Sequence, residues 1–261
     1  MSAALGIWIV RSQAEPLGRY LERQLGGTLC PWASLGGAGG AGGTVGVTNR
    51  EAFAAAFREY RQWVLIMTTG IAVRYLADLT GSKQTDPGVV VLDEASRFAV
   101  SLLGGHEGGA NALAYQVANA VGAVPVITTA TETLKPLVVG VGCRRGVSAL
   151  QIDIAIRAVL ANASRALAEV REIATIDLKA DEVGLLQWCK AQALPLRVIA
   201  RDLVASRPWV TQPSDWVKAS IGVDGVCEPC ALLATYRGKL IVPKTVLDGV
   251  TIALVEESPY L

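Results

Sequence analysis

The stretch VVVLDEASRFAVSLLGGHEGGANALAYQVANAVGAVPVIT, residues 89–128, decides how this chain folds. Two apolar runs, VVVLDE and FAVSLL, are separated by a short Ala-Ser turn and predict a pair of strands. A helical pattern follows from about Ala110 to Val121, and VPVIT returns to a strand. This order of elements predicts an α/β fold with layered, partly parallel sheets.

The same alternation continues on both sides of this stretch. Further strands are predicted at GIWIV (6–10), WVLIM (63–67), PLVVGVGC (136–143), LPLRVIA (194–200), GKLIVPK (238–244) and VTIALVEE (250–257). Helices are predicted at EPLGRYLERQLG (15–26), EAFAAAFREYRQ (51–62), LQIDIAIRAVLAN (150–162), ALAEVREIA (166–174), EVGLLQWCKAQA (182–193), SDWVKASIG (214–222) and GVCEPCALLAT (225–235). Lys135–Pro136 interrupts the pattern, so we expect two small α/β domains, 1–134 and 135–261. The glycine-rich stretch 34–43 is expected to be a flexible loop or tether.

Composition excludes several classes of protein. The 261-residue chain carries a net charge of +1 and has no basic stripe, so a nucleic-acid partner is not expected. Its apolar runs are far shorter than a membrane-spanning helix needs. The first residues lack the basic flank of a secretory signal, which predicts a cytoplasmic protein without a membrane partner. The five cysteines are scattered, which predicts neither a disulfide framework nor a closed metal site.

Three loops share one design, in which a buried strand ends in a polar or glycine-rich turn before a helix. They are TTGIAVR (68–74), GGHEGGAN (104–111) and GVGCRRGVS (140–148). Free backbone N–H groups at such turns favour anions, and arginines pair with carboxylates and phosphates. Several such loops suit a ligand with several carboxylates, although glycine-rich turns are often only turns. The candidate residues are Gly70, Arg74, Gly104, Gly105, Gly108, Gly109, Asn111, Gly142, Cys143, Arg144, Arg145, Gly146 and Ser148.

The only histidine of the chain, His106, lies between two glycine pairs and beside Glu107. Imidazole titrates near neutral pH, which makes His106 the natural general acid or base. A capping or packing role is the alternative. No Ser-His-Asp arrangement or GxSxG turn accompanies it, so we expect any hydrolysis to activate water directly.

A second candidate cluster lies at Cys227-Glu228-Pro229-Cys230, at the start of a predicted helix. A helix N-terminus lowers the pKa of a thiol, so a redox pair is one interpretation and simple packing is the other. Glu228 is a candidate substrate-binding carboxylate, whereas its simpler role is to stabilise the helix dipole.

Several ordered motifs resemble one family. DPGVVVLDE (86–94), SLLGGHEGGAN (101–111) and VITTAT (126–131) resemble the N-terminal domain of the cobalamin biosynthesis protein CbiG. VGVGCRRGVS (139–148), IDLKADEVGLL (176–186) and GVCEPCALLA (225–234) resemble its C-terminal domain, which is similar to CobE. The middle domain that family members often carry has no counterpart, because about five residues join the two parts. Glu132 stands where the family usually has Asp, and Cys230 where a small apolar residue is expected.

The resemblance implies a cobalt-precorrin-5A hydrolase, which is a hydrolase acting on a carbon–carbon bond in a ketonic substance. Such an enzyme opens the ring A δ-lactone of a cobalt-bound tetrapyrrole and releases acetaldehyde, giving cobalt-precorrin-5B. No cofactor is implied, since cobalt enters with the substrate, and no metal site of the protein is expected. A homodimer and hand-over to methyltransferases of the corrin pathway are left open as further partners.

The resemblance also implies roles for particular residues. His106, together with Glu107, would activate water, while the 104–111 loop would stabilise the oxyanion. The loops TTGIAVR (68–74) and TTATE (128–132) would line the same pocket as the 104–111 loop, with Thr68, Thr69, Thr128 and Thr129 as hydrogen-bond donors. Arg144 and Arg145 would hold substrate carboxylates, and Lys179 and Glu182 match a KxDE pattern of the family. Lys179 and Glu182 could equally form only a salt bridge at a helix start. A non-catalytic tetrapyrrole carrier would need the anion-binding loops but not His106, and a redox protein would need only Cys227 and Cys230.

Overall fold

The computed structural model describes residues 3–30, 48–207 and 210–258. The chain forms two compact units, Met1–Thr129 and Ala130–Leu261. The glycine-rich stretch 34–43 lies outside the described residues. No helix in the described part of the chain is long and apolar enough to cross a membrane.

The first unit is an α/β layer built on one six-stranded sheet. Its strands are β1 (Ala3–Ile9), β2 (Thr28–Cys30), β3 (Tyr60–Ile66), β4 (Gly88–Leu92), β5 (Phe98–Leu103) and β6 (Val124–Val126). Its helices are α1 (Glu15–Leu25), α2 (Asn49–Ala56), α3 (Thr69–Leu76) and α4 (Ala110–Val121). The strand order is β2-β1-β3-β4-β5-β6.

The direction of the strands changes once in this sheet. Strands β1 to β4 are parallel, whereas β5 pairs antiparallel with β4 and β6 pairs parallel with β5. The reversal occurs at Asp93, whose Oδ1 atom accepts hydrogen bonds of 2.8 Å from the backbone N–H groups of Arg97 and Phe98. The predicted strand pair is therefore confirmed. As a result, loops that follow β5 and β6 emerge at the edge where β3 and β4 begin.

Both faces of this sheet are covered by helices. On one face, α1 and α4 pack Leu21 and Leu113 against the strands. On the other face, α2 and α3 cover an aromatic cluster in which Phe53 contacts Trp8 and Trp63 edge-on, with ring centroids 5.3 and 5.2 Å apart. Large aromatic side chains bury 150–250 Å² each, so this cluster is a major part of the apolar burial in the unit.

The second unit also has one sheet covered by helices on both faces, but its strand order differs from that of the first unit. Its strands are β7 (Leu137–Cys143), β8 (Val170–Ile176), β9 (Leu196–Ile199), β10 (Gly238–Leu247) and β11 (Val250–Glu257). Its helices are α5 (Ala130–Thr133), α6 (Ala149–Asn162), α7 (Val183–Gln192), α8 (Arg201–Ser206), α9 (Asp215–Ile221) and α10 (Cys227–Leu233). The strand order is β10-β11-β7-β8-β9, with β7, β8 and β9 parallel and β11 antiparallel to β7.

Helix packing in the second unit confirms most of the predicted elements. Helices α6 and α7 cover one face, and α8, α9 and α10 cover the other. Ser148 caps α6 in a capping box with Gln151, and Ser214 caps α9. Helix α10 lies so close to β7 that a side chain at Gly140 would overlap the carbonyl group of Cys227.

Two predicted helices are partly or wholly wrong. The helix predicted over 51–62 ends at Ala56, and Tyr60 already belongs to β3, where its ring packs on Trp63. The helix predicted over 166–174 is a short 3-10 turn followed by β8. Residues 170–176 fill the buried sheet between β7 and β9, and this tertiary burial overrides a local pattern that resembles a helix.

Candidate active site

The glycine loop, residues 104–109, contacts Gln62 and Gly88. These two residues form the first pair in the register between β3 and β4. Gln62 Nε2 donates a hydrogen bond of 3.1 Å to the carbonyl oxygen of Gly108. Gly88 lies against the same peptide, because a methyl group at Gly88 would overlap that carbonyl and one at Gly108 would lie 2.6 Å from the Gly88 nitrogen. The sequence predictions missed Gln62 and Gly88, although a glycine at the start of a buried strand often indicates a close backbone approach.

Asn111 holds the other half of the loop. Its Oδ1 accepts a hydrogen bond of 2.8 Å from Ser101 Oγ, and its Nδ2 donates one of 2.9 Å to Thr129 Oγ1. The same side chain closes over Gly105, where a methyl group would lie 2.9 Å from Asn111 Oδ1. Asn111 was predicted to bind substrate, but both ends of its amide are engaged in fixing the loop.

The loop joins α4 through backbone hydrogen bonds. Ala110 and Asn111 donate to the carbonyl groups of Gly104 and Gly105 at 3.1 and 3.0 Å, and Gly109 donates to His106 at 3.1 Å. Gly109 has φ 74°, a left-handed conformation that glycine adopts without strain. The loop is therefore fixed by main-chain contacts at both ends.

Between these supports, the loop displays His106 and Glu107 as exposed neighbours. Glu107 lies 3.7 Å from Lys83 in an exposed ion pair, which contributes little to stability. Among the described residues, no acceptor pairs with the backbone N–H groups of Gly105, Glu107 and Gly108. A histidine beside such N–H groups can supply the base and the oxyanion donors that acyl hydrolysis uses.

The predicted threonines divide between the two edges of the sheet. Thr128 and Thr129 follow β6 and lie at the edge of the glycine loop, where Thr129 contacts Asn111. Thr68 and Thr69 follow the carboxyl end of β3, at the opposite edge.

The prediction that TTGIAVR shares a pocket with the glycine loop is wrong within this unit. This stretch forms the first turns of α3 rather than a loop, and Arg74 Nη1 donates to the carbonyl oxygen of Gly70 at 3.3 Å. Thr68, Thr69, Gly70 and Arg74 are exposed, but β5 reverses the sheet and carries His106 to its other edge.

In the second unit, the predicted anion-binding loop is 140–148, but residues 140–143 belong to β7 and only residues 144–148 follow it. Arg144 and Arg145 are exposed, and the Arg144 N–H donates to the carbonyl group of Gly249 at 2.9 Å. Arg145 lies 3.7 Å from Asp181, and both side chains of this pair are about three-quarters exposed. Both guanidinium groups are accessible to a carboxylate ligand.

Lys179 and Glu182 form the salt bridge that was their simpler interpretation. Lys179 Nζ lies 3.2 Å from Glu182 Oε2, and Glu182 Oε1 accepts the backbone N–H of Gly146 at 2.9 Å. Glu182 is only 6% exposed, so its carboxylate supports the loop from within.

The other predicted residues of this loop are also engaged in the fold. Gly142 packs against Thr251, and Ser148 Oγ accepts the backbone N–H of Gln151 at 3.2 Å. Cys143 is partly buried, and burial raises the pKa of its thiol to about 11 although Lys179 acts in the opposite direction.

Glu228 does not have the accessibility that substrate binding requires. It is 1% exposed, and its carboxylate accepts three hydrogen bonds, from the N–H and hydroxyl groups of Thr211 and from the N–H of Lys244. Glu228 thus joins α10 to β10 and to the segment before α9. Its prediction as a substrate ligand is corrected to a structural role.

The thiols of Cys227 and Cys230 do not have the properties of a redox pair. Both are buried, and burial raises the pKa of Cys227 to about 11 and that of Cys230 well above its usual value. The low pKa expected from a helix N-terminus is therefore wrong here. No group of three or more metal-binding side chains occurs in the described part of the chain.

The fold and the site define an α/β protein whose histidine lies on a glycine loop that is fixed by Gln62, Gly88 and Asn111. Comparison with known proteins shows the family of this chain. Residues 51–132 match the family model described as Cobalamin synthesis G N-terminal, and residues 137–255 match Cobalamin synthesis G C-terminus. The chain belongs to the CbiG family.

Three relatives illustrate the similarity. A cobalt-precorrin-5A hydrolase of Priestia megaterium is 25% identical over 303 residues, covering 78% of this chain and 81% of the relative. A cobalt-precorrin-5A hydrolase of Salmonella typhimurium is 54% identical over 77 residues, covering 30% of this chain and 22% of the relative. Protein CobE of a Sinorhizobium species is 34% identical over 120 residues, covering 45% of this chain and 78% of the relative.

Proposed function

We propose that this chain is a cobalt-precorrin-5A hydrolase of cobalamin biosynthesis. The observation that carries the proposal is the fixed glycine loop, on which His106 and Glu107 lie exposed beside backbone N–H groups. Relatives of this chain are named cobalt-precorrin-5A hydrolase. The reaction is hydrolysis of the ring A δ-lactone, followed by cleavage of a carbon–carbon bond in the macrocycle.

In the first step, His106 acts as the general base. Its imidazole takes a proton from water, and the water oxygen adds to the lactone carbonyl carbon. The N–H groups of Glu107 and Gly108 donate to the oxyanion that forms, because they point from a rigid backbone and need no reorganisation. Collapse of this intermediate breaks the bond between the acyl carbon and the ring oxygen, and the His106 imidazolium returns its proton to that oxygen. The products are a free carbinol and a carboxylic acid, which releases its proton to solvent.

In the second step, the neutral His106 imidazole takes the proton of the carbinol, and the bond between the meso carbon and ring A breaks. The meso carbon leaves with its methyl group as acetaldehyde, and the electron pair of the broken bond passes into the conjugated macrocycle. The protein supplies only a base and oriented donors in this scheme. We therefore propose that it needs no cofactor, and that cobalt arrives as part of the substrate.

The tetrapyrrole carries several carboxylates, and the exposed Arg144 and Arg145 are the groups we propose to bind them. Guanidinium groups pair with carboxylates through two parallel hydrogen bonds. Thr128, exposed beside the glycine loop, is a further donor that we propose for the substrate.

The test is acetaldehyde release from cobalt-precorrin-5A by the wild-type chain and by His106→Ala. We expect wild-type release and a loss of at least 100-fold in the variant, since a positioned general base contributes about 10²–10⁴-fold. The melting temperature of the variant is measured alongside, so that a loss of the fold is distinguished from a loss of the base.

Near-normal turnover by His106→Ala would remove this residue from the mechanism. Tight binding of the macrocycle by the wild type without acetaldehyde release would replace the hydrolase with a tetrapyrrole carrier. That function would need Arg144 and Arg145 but not His106.

A further inference from the structure

We propose that Gln62 is a positioning residue for hydrolysis, which acts on His106 through the peptide group that joins Gly108 to Gly109. The inference rests on the proposed function and adds a residue that lies outside the glycine loop. Gln62 is the only polar link described between the strand β3 and this loop.

Two hydrogen bonds connect Gln62 to His106. Gln62 Nε2 donates to the carbonyl oxygen of Gly108 at 3.1 Å, and the N–H of the same peptide, on Gly109, donates to the carbonyl oxygen of His106 at 3.1 Å. A peptide group is planar, so fixing its oxygen also fixes the direction of its N–H. Hydrogen bonds in such a chain also polarise one another.

The amide of Gln62 also fixes the loop by contact. A methyl group at Gly109 would lie 2.8 Å from Gln62 Nε2, so the amide lies directly over this residue. Gln62 is paired in register with Gly88, which touches the other side of Gly108. The 108–109 peptide is thus held between a side-chain donor and a backbone surface.

This support is suited to catalysis rather than to stability. Gln62 is only partly buried, and it lies outside the aromatic and aliphatic clusters that form the core of the unit. Removing its hydrogen bond leaves those clusters intact. Rate, in contrast, depends on small displacements of a catalytic group, and a shift of about 1 Å can cost about 100-fold.

The test compares Gln62→Met with the matched control Gln24→Met. Methionine has the length of glutamine but donates no hydrogen bond, and Gln24 is exposed on α1 away from the loop. For Gln62→Met we expect kcat to fall by about 10- to 100-fold with little change in KM or in melting temperature. Gln24→Met is expected to match the wild type.

A second measurement does not depend on activity. Because the chain has one histidine, its imidazole resonances in an NMR spectrum belong to His106 without further assignment. We expect these resonances to shift or broaden in Gln62→Met and to stay unchanged in Gln24→Met. Should Gln62→Met fail to fold, Gln62→Glu replaces it, since a carboxylate of the same size also cannot donate to the Gly108 carbonyl.

The outcomes separate the two proposals. Absence of acetaldehyde from the wild type would overturn the proposed function, whereas the NMR comparison would still report on the link between Gln62 and His106. Wild-type kcat in Gln62→Met together with unchanged imidazole resonances would overturn the positioning role.

Discussion

The contact between Gly88 and Gly108 brings two backbones closer than any side chain permits. A methyl group at Gly88 would overlap the Gly108 carbonyl, which cannot move without displacing the loop that carries His106. The requirement at position 88 is therefore for the absence of a side chain and not for a special φ angle.

We accordingly expect Gly88→Ala to lower the free energy of unfolding by about 1–3 kcal/mol, as overpacking does, and to lower kcat as well. Urea unfolding and the acetaldehyde assay measure the two effects. Gly81→Ala is the matched control, because its methyl group would lie 3.5 Å from Arg58 Nη2, an ordinary contact. Equal stability of both variants would show that the loop can retreat from β4 at no cost.

For single residues, the sequence predicts which reactive side chains are exposed better than it predicts which residues form hydrogen bonds with each other. Flanking glycines correctly placed His106 and Glu107 on an exposed loop. Asn111 and Glu228 were predicted to bind substrate, but their hydrogen bonds go to Ser101 and Thr211, which reach them only through the fold. No local pattern contains that information.

Among the elements, β11 ends at a carboxylate that links three parts of its unit. Glu257 Oε2 lies 2.8 Å from Arg171 Nη2, and Oε1 accepts the backbone N–H groups of Tyr236 and Arg237. Burial alone would raise the pKa of Glu257, but these hydrogen bonds outweigh it and lower the pKa below its usual value. The ionised form therefore stabilises the end of the strand.

A carboxyl group with a lowered pKa in the folded state binds fewer protons than the unfolded chain does. Its stabilisation is complete above the unfolded pKa, near 4.3, and is lost as the pH falls through the folded value. We expect Glu257→Gln to lower the free energy of unfolding by about 1–2 kcal/mol at pH 7. Urea unfolding between pH 7 and pH 3 should show this difference shrinking with acid, and a difference that grows in acid would contradict the sign of the shift.

Most helices and strands could be predicted from the periodicity of their apolar residues, whereas the elements that lie beside them in the fold could not. The helix predicted from about Ala110 to Val121 has these bounds, since its apolar face and its terminal glycines are local signals. β8 was missed because Arg171 and Glu172 break the alternation expected of a strand. Its burial between β7 and β9 is a property of the assembled sheet.

The sequence contained enough information to predict that residues 68–74 and 104–111 lie at opposite edges of the first sheet. The short turn after VVVLDE correctly indicated a hairpin, and a hairpin sends the next loop to the opposite edge. The prediction that residues 68–74 and 104–111 line one pocket is therefore wrong, because carboxyl ends of strands share one edge only where the sheet is parallel, and this sheet reverses at Asp93.

For the whole molecule, the five cysteines all belong to the packing of the two units. They are free thiols, and burial raises the pKa of every one of them, to about 11 for Cys143 and Cys227 and about 12 for Cys189. The thiolate is the reactive form, so the folded chain holds its cysteines in an unreactive state near neutral pH.

We therefore expect Ellman's reagent at pH 8 to react slowly with the folded chain and to detect five thiols after unfolding in guanidinium chloride. Mass spectrometry of alkylated peptides identifies which cysteine reacts first. Rapid modification of Cys227 or Cys230 in the folded chain would restore the redox interpretation.

The reversal of strand direction in the first sheet has a consequence for engineering. Residues 68–70 and the His106 loop lie at opposite edges of one sheet, with residues 63–66 of β3 between Gln62 and Thr68. Libraries that vary one edge leave the scaffold of the other untouched. Ligand preference at one end can thus be evolved in the laboratory without a compensating change at the other.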